Sequence, residues 1–369
     1  MFFTKSSSAN RPLSILCGAL FTLLVLPLAA QEIDIGDIEV QGGRNVISVL
    51  IASDQAEMKQ VAERAFSGHG GFRVVRDRSA ASFIFTFRPA SGSGVNIDIS
   101  SGSPTRSQFQ ETVTGTSQRN ALYRAADLAV AKTTGQPGFF AGRLTFVADG
   151  TGAKEVYTSD LFLGEVRKLT SDNADSVGPR WSPDGKTIVY TSYYRRGFPD
   201  IFKIDLSTQR RSGFISVRGT NTGARFSPDG GRVAMVLSGS GNPEVYVSNA
   251  AGQQIRRLTH TDAVQSSPTW SPDGSRLVFT SDRDGRPQLF TMTASGGSMS
   301  RIPTNISGNC TEPDWNPRDS NLIAFTAAVG GRFAVAVYDF SSRKSRFLTQ
   351  GSGDAIAPCW TNDGRHLVY

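Results

Sequence analysis

The sequence predicts an α/β domain followed by an all-β propeller of six units, on three observations. A corner motif, Trp181-Ser-Pro-Asp-Gly185, returns as Phe226-Ser-Pro-Asp-Gly230, Trp270-Ser-Pro-Asp-Gly274, Trp315-Asn-Pro-Arg-Asp319 and Trp360-Thr-Asn-Asp-Gly364, at spacings of 45, 44, 45 and 45 residues. Each motif runs into a short apolar stretch, such as Thr187-Ile-Val-Tyr190 or Leu277-Val-Phe279. The stretch between corners carries strand signals and almost no helical periodicity. A repeat of roughly 40 to 50 residues built of strands is the mark of propeller blades.

Each position of the corner has a mechanical reading. Pro presets φ for a type I turn, Asp bonds the turn backbone, and Gly lets the chain leave with positive φ. The following run is apolar at consecutive positions, as in a strand covered on both faces by neighbouring blades. A third strand comes about twelve residues on, at Asp200-Ile-Phe-Lys-Ile204, Glu244-Val-Tyr-Val247, Gln288-Leu-Phe-Thr291 and Phe333-Ala-Val-Ala-Val337. Units close on Arg167-Lys-Leu-Thr170, Arg256-Arg-Leu-Thr259 and Arg346-Phe-Leu-Thr349. Before the first corner, Arg143-Leu-Thr-Phe-Val-Ala148, Glu155-Val-Tyr-Thr158 and Lys168-Leu-Thr170 form a unit lacking the Trp corner. That makes six units. The last is expected to be incomplete, since a full period from Trp360 runs about 36 residues past Tyr369. A cropped chain or an open ring is the expectation.

The chain holds 369 residues with 38% hydrophobic content, enough for two domains. Residues 1–30 read as a secretory signal peptide: Lys5 and Arg11 precede the apolar run Leu13 to Leu28, and Ala29-Ala30 precede Gln31. The run is too short, and too close to a small-residue exit, to favour a membrane span. Residues 31–137 read as the α/β domain and 138–369 as the propeller. Alternating Ile33, Ile35, Ile38 and Val40 suggest an edge strand. Strands are expected at Val46 to Ile51, Phe72 to Val75, Ser82 to Phe87, Val95 to Ile99 and Phe109 to Val113. Asp54 with Glu57 forms a capping box for a helix with Met58, Val61, Ala62 and Ala65 inward. Ser117 caps a second helix, Gln118 to about Lys132, ended by Thr134-Gly-Gln-Pro137.

Composition narrows the function. The formal charge of +7 falls to +5 without the leader's two cations, and no basic block exceeds two residues, so a nucleic-acid reading lacks its footprint. Cys310 and Cys359 sit at different places in their units and read as two small buried thiols, not a disulfide. His69, His260 and His366 are far apart in sequence and read as surface or turn residues. With no Gly-x-Ser-x-Gly elbow, a propeller-gated peptidase is disfavoured, and no enzymatic activity is expected. Asp175, Asp262, Glu312 and Asp354 recur near the loops that enter the corner strands, but their spacing fits no calcium loop, so no metal is expected.

With the domain order and repeats in hand, Gly308-Asn-Cys-Thr-Glu-Pro313 and Phe139-Phe-Ala-Gly-Arg143-Leu-Thr-Phe146 are similar to segments of the TolB family, periplasmic propeller proteins of the Tol-Pal envelope system. The resemblance covers nearly the whole chain. It implies a periplasmic, monomeric binding protein without cofactor, which holds a peptidoglycan-associated lipoprotein (Pal-like) at one propeller mouth. It also implies engagement of a TolA-like inner-membrane protein by the amino-terminal segment. It places the Pal contact on loops 173–176, 220–223, 265–267, 309–312 and 353–355, at Thr220, Gly223 and Ser266, with Asn221, Gln265, Thr311 and Glu312 beside them. The TolA-facing segment would include Ile33, Ile35, Ile38 and Val40, an exposed edge able to pair with a partner strand. This chain has Thr220 where the family often has His, and Ser266 where many members have Thr. The alternative is a secreted propeller sensor or a carbohydrate- or peptide-binding protein unrelated to Tol-Pal.

Overall fold

The computed structural model describes residues 46–369 apart from 103, 151 and 196. The expected leader and the alternating segment from Ile33 to Val40 lie outside the described residues. The α/β part opens with β1 (Ile47–Ala52), α1 (Ala56–Ser67) and β2 (Phe72–Val74), then β3 (Phe83–Pro89), β4 (Gly94–Ser101), β5 (Arg106–Thr114) and α2 (Gln118–Thr134). Its sheet runs β2-β1-β3-β4-β5; β1 is parallel to both neighbours, and the remaining pairs are hairpins. Both helices supply their apolar faces to one core with the sheet, through Met58, Ala62, Ala65 and Phe66 from α1 and Leu122, Ala125, Ala126 and Ala129 from α2. Ser117 caps α2 as expected, its hydroxyl accepting from the Asn120 amide at 3.1 Å. The Asp54 capping box is corrected: α1 begins at Ala56 with Gln55 as N-cap, and no side chain caps it. Asp54 stands one residue too early, and the N-cap position falls to a side chain that makes no capping bond.

The rest is a β-propeller. A three-stranded sheet, β6 (Arg143–Ala148), β7 (Glu155–Asp160) and β8 (Arg167–Lys168), comes first. Four four-stranded sheets follow: β9 (Ser176–Trp181), β10 (Thr187–Ser192), β11 (Asp200–Asp205) and β12 (Arg210–Ile215); β13 (Asn221–Phe226), β14 (Arg232–Leu237), β15 (Glu244–Asn249) and β16 (Arg256–Arg257); β17 (Gln265–Trp270), β18 (Arg276–Ser281), β19 (Gln288–Thr293) and β20 (Ser300–Arg301); β21 (Cys310–Trp315), β22 (Leu322–Val329), β23 (Arg332–Asp339) and β24 (Lys344–Phe347). A two-stranded ribbon, β25 (Cys359–Trp360) and β26 (Leu367–Val368), ends the described chain. Five sheets therefore have the three or four strands of a blade.

Apolar clusters lie between successive sheets, which is why the second strands are buried on both faces. Val189 and Ile201 meet Ala224, Val233 and Met235 across one such seam, and Val278 and Leu289 meet Trp315, Ile323 and Phe325 across another. First strands pack against first strands, β9 on β13, β13 on β17 and β17 on β21, so they form the inner wall around the axis. The corners close as the motif requires. In the first, the Gly185 amide donates to the Ser182 carbonyl at 2.9 Å, Asp184 accepts from Ser182 Oγ and the Lys186 amide, and Gly185 takes φ of 66°. At Trp315 the substituted motif works differently. Asn316 Oδ1 accepts from the Arg318 and Asp319 amides, while its Nδ2 donates to the Gly364 carbonyl at 2.7 Å, tying one corner to the next. A second seam was not expected: Arg232 donates to the Gly274 carbonyl at 2.8 Å and lies over the Trp270 ring at 4.7 Å, and Arg143 does the same to Gly185 and Trp181. Cys310 and Cys359, the cysteines among the described residues, are unpaired; Cys310 is buried, but Cys359 is only partly so.

Candidate functional site

Antiparallel order puts the starts of first and third strands and the ends of second and fourth strands on one face of the propeller. This is the mouth, and the Pro-Asp-Gly corners occupy the opposite face. Just inside the mouth each first strand bulges at the third residue before its corner aromatic. There Gly178, Gly223, Ser267, Glu312 and Ala357 share left-handed φ between 50° and 66°. The ladder to the second strand slips at each complete first strand. A Cβ on Gly223 would meet only ordinary contacts, with Pro268 at 3.7 Å and Val236 at 3.8 Å, so its need for glycine comes from φ and not from space. Ser267, Glu312 and Ala357 hold the same φ with a Cβ, at a cost of about 1 kcal/mol each.

Beyond the bulge, the residue before each corner aromatic turns inward: Arg180, Arg225, Thr269, Asp314 and Cys359. Arg225 Nη1 donates to Thr269 Oγ1 at 2.6 Å and pairs with Asp314, spanning three successive first strands. The other Asp314 oxygen accepts from the Trp360 amide at 2.7 Å. Burial and neighbouring Asp314 push the Cys359 thiol up to about 11, so it is protonated at neutral pH.

The structure divides the expected contact residues. Thr220 is half-buried, with its amide on Ser238 Oγ at 2.8 Å. Gly223, Ser266, Thr311 and Glu312 are also half-buried along the mouth wall. Glu312 Oε2 accepts from Thr326 Oγ1 at 2.8 Å and from the Ala357 amide at 3.0 Å, which ties it to the next unit. Asn221 and Gln265 are fully buried. The Asn221 amide group donates to the Val217 carbonyl at 2.9 Å and to Asp200 Oδ1 at 3.1 Å, while its oxygen accepts from the Val217 amide. Gln265 Nε2 donates to Thr261 Oγ1 at 2.8 Å. Both donate to their own loops, and the Gln265 Oε1 is buried without a hydrogen-bond partner. Ile33, Ile35, Ile38 and Val40 lie outside the described residues.

Sequence reasoning missed a set of buried acceptors at the starts of β7, β11 and β15, Glu155, Asp200 and Glu244, with Gln288 at the start of β19. Glu155 Oε1 accepts from the Asp172 amide at 3.0 Å, and Glu244 Oε1 from the Thr261 amide at 2.6 Å and Arg257 Nη2 at 2.8 Å. Asp200 accepts from Ser216 Oγ at 2.9 Å as well as from Asn221. Each reaches under a mouth loop and fastens it. The signal was available, since these acceptors recur at the blade period in strands that are otherwise apolar.

The surface reading holds for His260, which is exposed, and is corrected for His69 and His366. His69 and His366 are both buried, with ring centroids 5.0 Å apart, where the α/β part meets the last corner. His366 Nδ1 bonds Asp363 Oδ2 at 2.7 Å, its Nε2 bonds the His69 carbonyl at 3.0 Å, and Phe139 stacks on its ring at 3.9 Å. Both ring nitrogens of His366 are thus engaged in holding this joint. Among the described residues no group of three His, Cys, Asp or Glu side chains is placed to hold a metal. A shallow cavity of about 370 Å³, lined by Asp284, Arg286, Gln288 and Arg301, opens beside the mouth. Its Arg301 and Asp284 already face each other at 3.6 Å.

Known proteins match this arrangement. The family model described as the TolB beta propeller domain matches residues 130–369. The Tol-Pal system protein TolB of Desulfosudis oleivorans is 35% identical over 144 residues, covering 39% of this chain and 32% of that protein. The TolB of Roseobacter denitrificans is 30% identical over 246 residues, covering 55% of each. The matched stretches thus span about a third to about half the length of these curated relatives. The crystal structure of TolB from Acinetobacter baumannii superposes with a TM-score of 0.74 at 23% identity, over 88% of this chain and 93% of that one, which speaks to the fold. With the family's propeller model spanning well over half its length, this chain belongs to the TolB β-propeller family.

Proposed function

We propose that the protein is a non-enzymatic periplasmic scaffold of the Tol-Pal system. In this reading it binds a Pal-like lipoprotein at the propeller mouth and a TolA-like protein through residues 32–40, supporting outer-membrane integrity and envelope constriction at division. Residues 1–30 are its leader, 31–137 its α/β domain and 138–369 a six-unit propeller in which β25 and β26 belong to the sixth unit. It works as a monomer, without cofactor. The mouth contact falls on Thr220, Gly223, Ser266, Thr311 and Glu312, with Asn221 and Gln265 holding their loops in shape.

The observation that carries this reading is the fastening of the mouth loops from beneath by Glu155, Asp200, Asn221, Glu244 and Gln265. These bonds hold the mouth loops and order the face before a partner arrives. Preordering lowers the entropic cost of association. The test is titration of the mature protein with a lipid-free Pal-like domain and, separately, with peptidoglycan fragments. Saturable binding to the Pal-like domain, weakened by Ser266→Trp, is expected. Binding to glycan alone would favour the carbohydrate-binding alternative. Deleting residues 32–40 is expected to abolish engagement of the TolA-like protein and to spare the mouth contact; loss of both would show that the two are not separable.

A further inference from the structure

Two loops on the mouth rim stand out because their apolar side chains face solvent. The connection from β10 to β11 exposes Tyr193 at 40%, Tyr194 at 49% and Phe198 at 65%, and the loop after β12 exposes Val217 at 39%. Large side chains so open are costly unless something covers them, and aromatic residues beside arginine are what the energetic centres of protein interfaces are made of.

The loops form one patch because Asn221 joins them from below. Its amide group donates to the Pro199 carbonyl of one loop at 3.3 Å and to the Val217 carbonyl of the other at 2.9 Å, and the Asn221 amide donates to Pro199 at 2.9 Å. The aromatic loop is also held in place. The Tyr193 amide donates to the Asp175 carbonyl at 3.0 Å, and the Arg211 guanidinium lies 4.3 Å from the centre of the Tyr194 ring. A loop backbone and a ring already held in this way lose little freedom when a partner covers them.

Charge says what that partner is. Among the described residues near the patch, Asp172 pairs with Arg211 and Asp200 accepts from Asn221 and Ser216, while Asp175 is exposed but has one oxygen bonded by the Lys154 amide. Arg195 and Arg218 are exposed and make no ion pair among the described residues. With two exposed guanidiniums against the one exposed carboxylate, that of Asp175, the outward field is positive around an aromatic centre. We infer that Tyr193, Tyr194, Phe198 and Val217, flanked by Arg195 and Arg218, form a docking patch for an acidic segment of the protein bound at the mouth, with an apolar side chain of that segment set among the rings. The two exposed arginines among the described residues of these loops fall well short of the phosphate-neutralising stripe a nucleic acid needs, and a loop rim lacks the amphipathic helix that usually settles on membranes. The inference rests on the scaffold reading and names where, and by what chemistry, the partner is held.

The test measures binding of a purified, lipid-free Pal-like domain to the mature protein, and to Phe198→Ala and Arg195→Glu/Arg218→Glu variants, at low and high salt. All the altered side chains are exposed, so thermal midpoints are expected to match wild type. Phe198→Ala is expected to weaken binding by about tenfold or more, and the double charge reversal to do the same while flattening the salt dependence. Wild-type binding that neither variant weakens, with Ser266→Trp still damaging it, would overturn the patch and leave the scaffold reading standing. Absence of wild-type binding would sink both. Vesicles containing anionic phospholipid form the third arm: patch-dependent adsorption to them, with binding to the Pal-like domain unaffected, would show a membrane contact and overturn the inference.

Discussion

His69 offers the sharpest test of the joint between the α/β part and the propeller. Its ring lies against Phe72 at 4.9 Å, His366 at 5.0 Å and Phe139 at 5.5 Å, and its Nε2 is buried without a hydrogen-bond partner. Burial, reinforced by the charges of His366 and Arg365, lowers its pKa from 6.5 to about 3. The folded protein thus refuses a proton that the unfolded chain accepts. Stability from this residue is complete above the unfolded value and is lost as pH falls below it. At about pH 5 the loss amounts to about 1.5 pH units at about 1.4 kcal/mol each, or about 2 kcal/mol. Asp127 acts in the opposite direction, because burial raises its pKa to about 6; its ionised form is disfavoured in the fold, so stability rises as pH falls through that value. A wild-type profile alone would mix the two. His69→Phe keeps a ring in the same aromatic cage and removes only the first effect. Urea unfolding at about pH 7.5 and about pH 5 is expected to show a pH-dependent loss smaller in the variant than in wild type by about 2 kcal/mol. Equal losses in the two proteins would refute the burial of an uncharged His69 at this joint.

Two further substitutions probe the propeller. Gly274→Val forces a branched side chain to φ of 68°, with its Cβ 3.1 Å from Arg232 Nη2, and is expected to cost about 1 to 3 kcal/mol; a thermal midpoint equal to wild type would show that the corner tolerates another conformation. Arg225→Ala leaves Asp314 without its ion pair inside the inner wall, at an expected cost of about 3 to 5 kcal/mol. Chemical denaturation of Arg225→Ala beside Arg225→Met/Asp314→Asn separates the lost pair from lost packing, since the double variant is expected to recover much of the stability.

What could be read from the residues was local chemistry. Pro-Asp-Gly corners specify their own turn, and Ser117 caps α2 because a hydroxyl at that position meets the free amides of the first turn. The covered second strands were legible because burial on both faces leaves an unbroken apolar run. What was hidden depends on distance in the chain. His69 and His366 lie 297 residues apart, and only the folded chain brings a carbonyl of one to the ring of the other. Asn221 and Gln265 look like surface turn residues in sequence, yet each is drawn beneath its loop to satisfy backbone groups that would otherwise be buried without partners. A polar residue in a loop can serve the loop or a visitor, and its identity alone does not say which. The Asp54 cap failed for a smaller reason: Asp54 and Gln55 compete for one position, and the chain takes the helix from Gln55.

The most direct measurement of the central claim, that the mouth is a docking face and the corners are structural, is a hydrogen-exchange footprint of the mature protein with and without a lipid-free Pal-like domain. Protection is expected in 193–199, 216–223, 265–267 and 309–312, with the corner turns at 182–185, 227–230 and 271–274 unchanged. Protection confined to the corners or to the α/β part would contradict it.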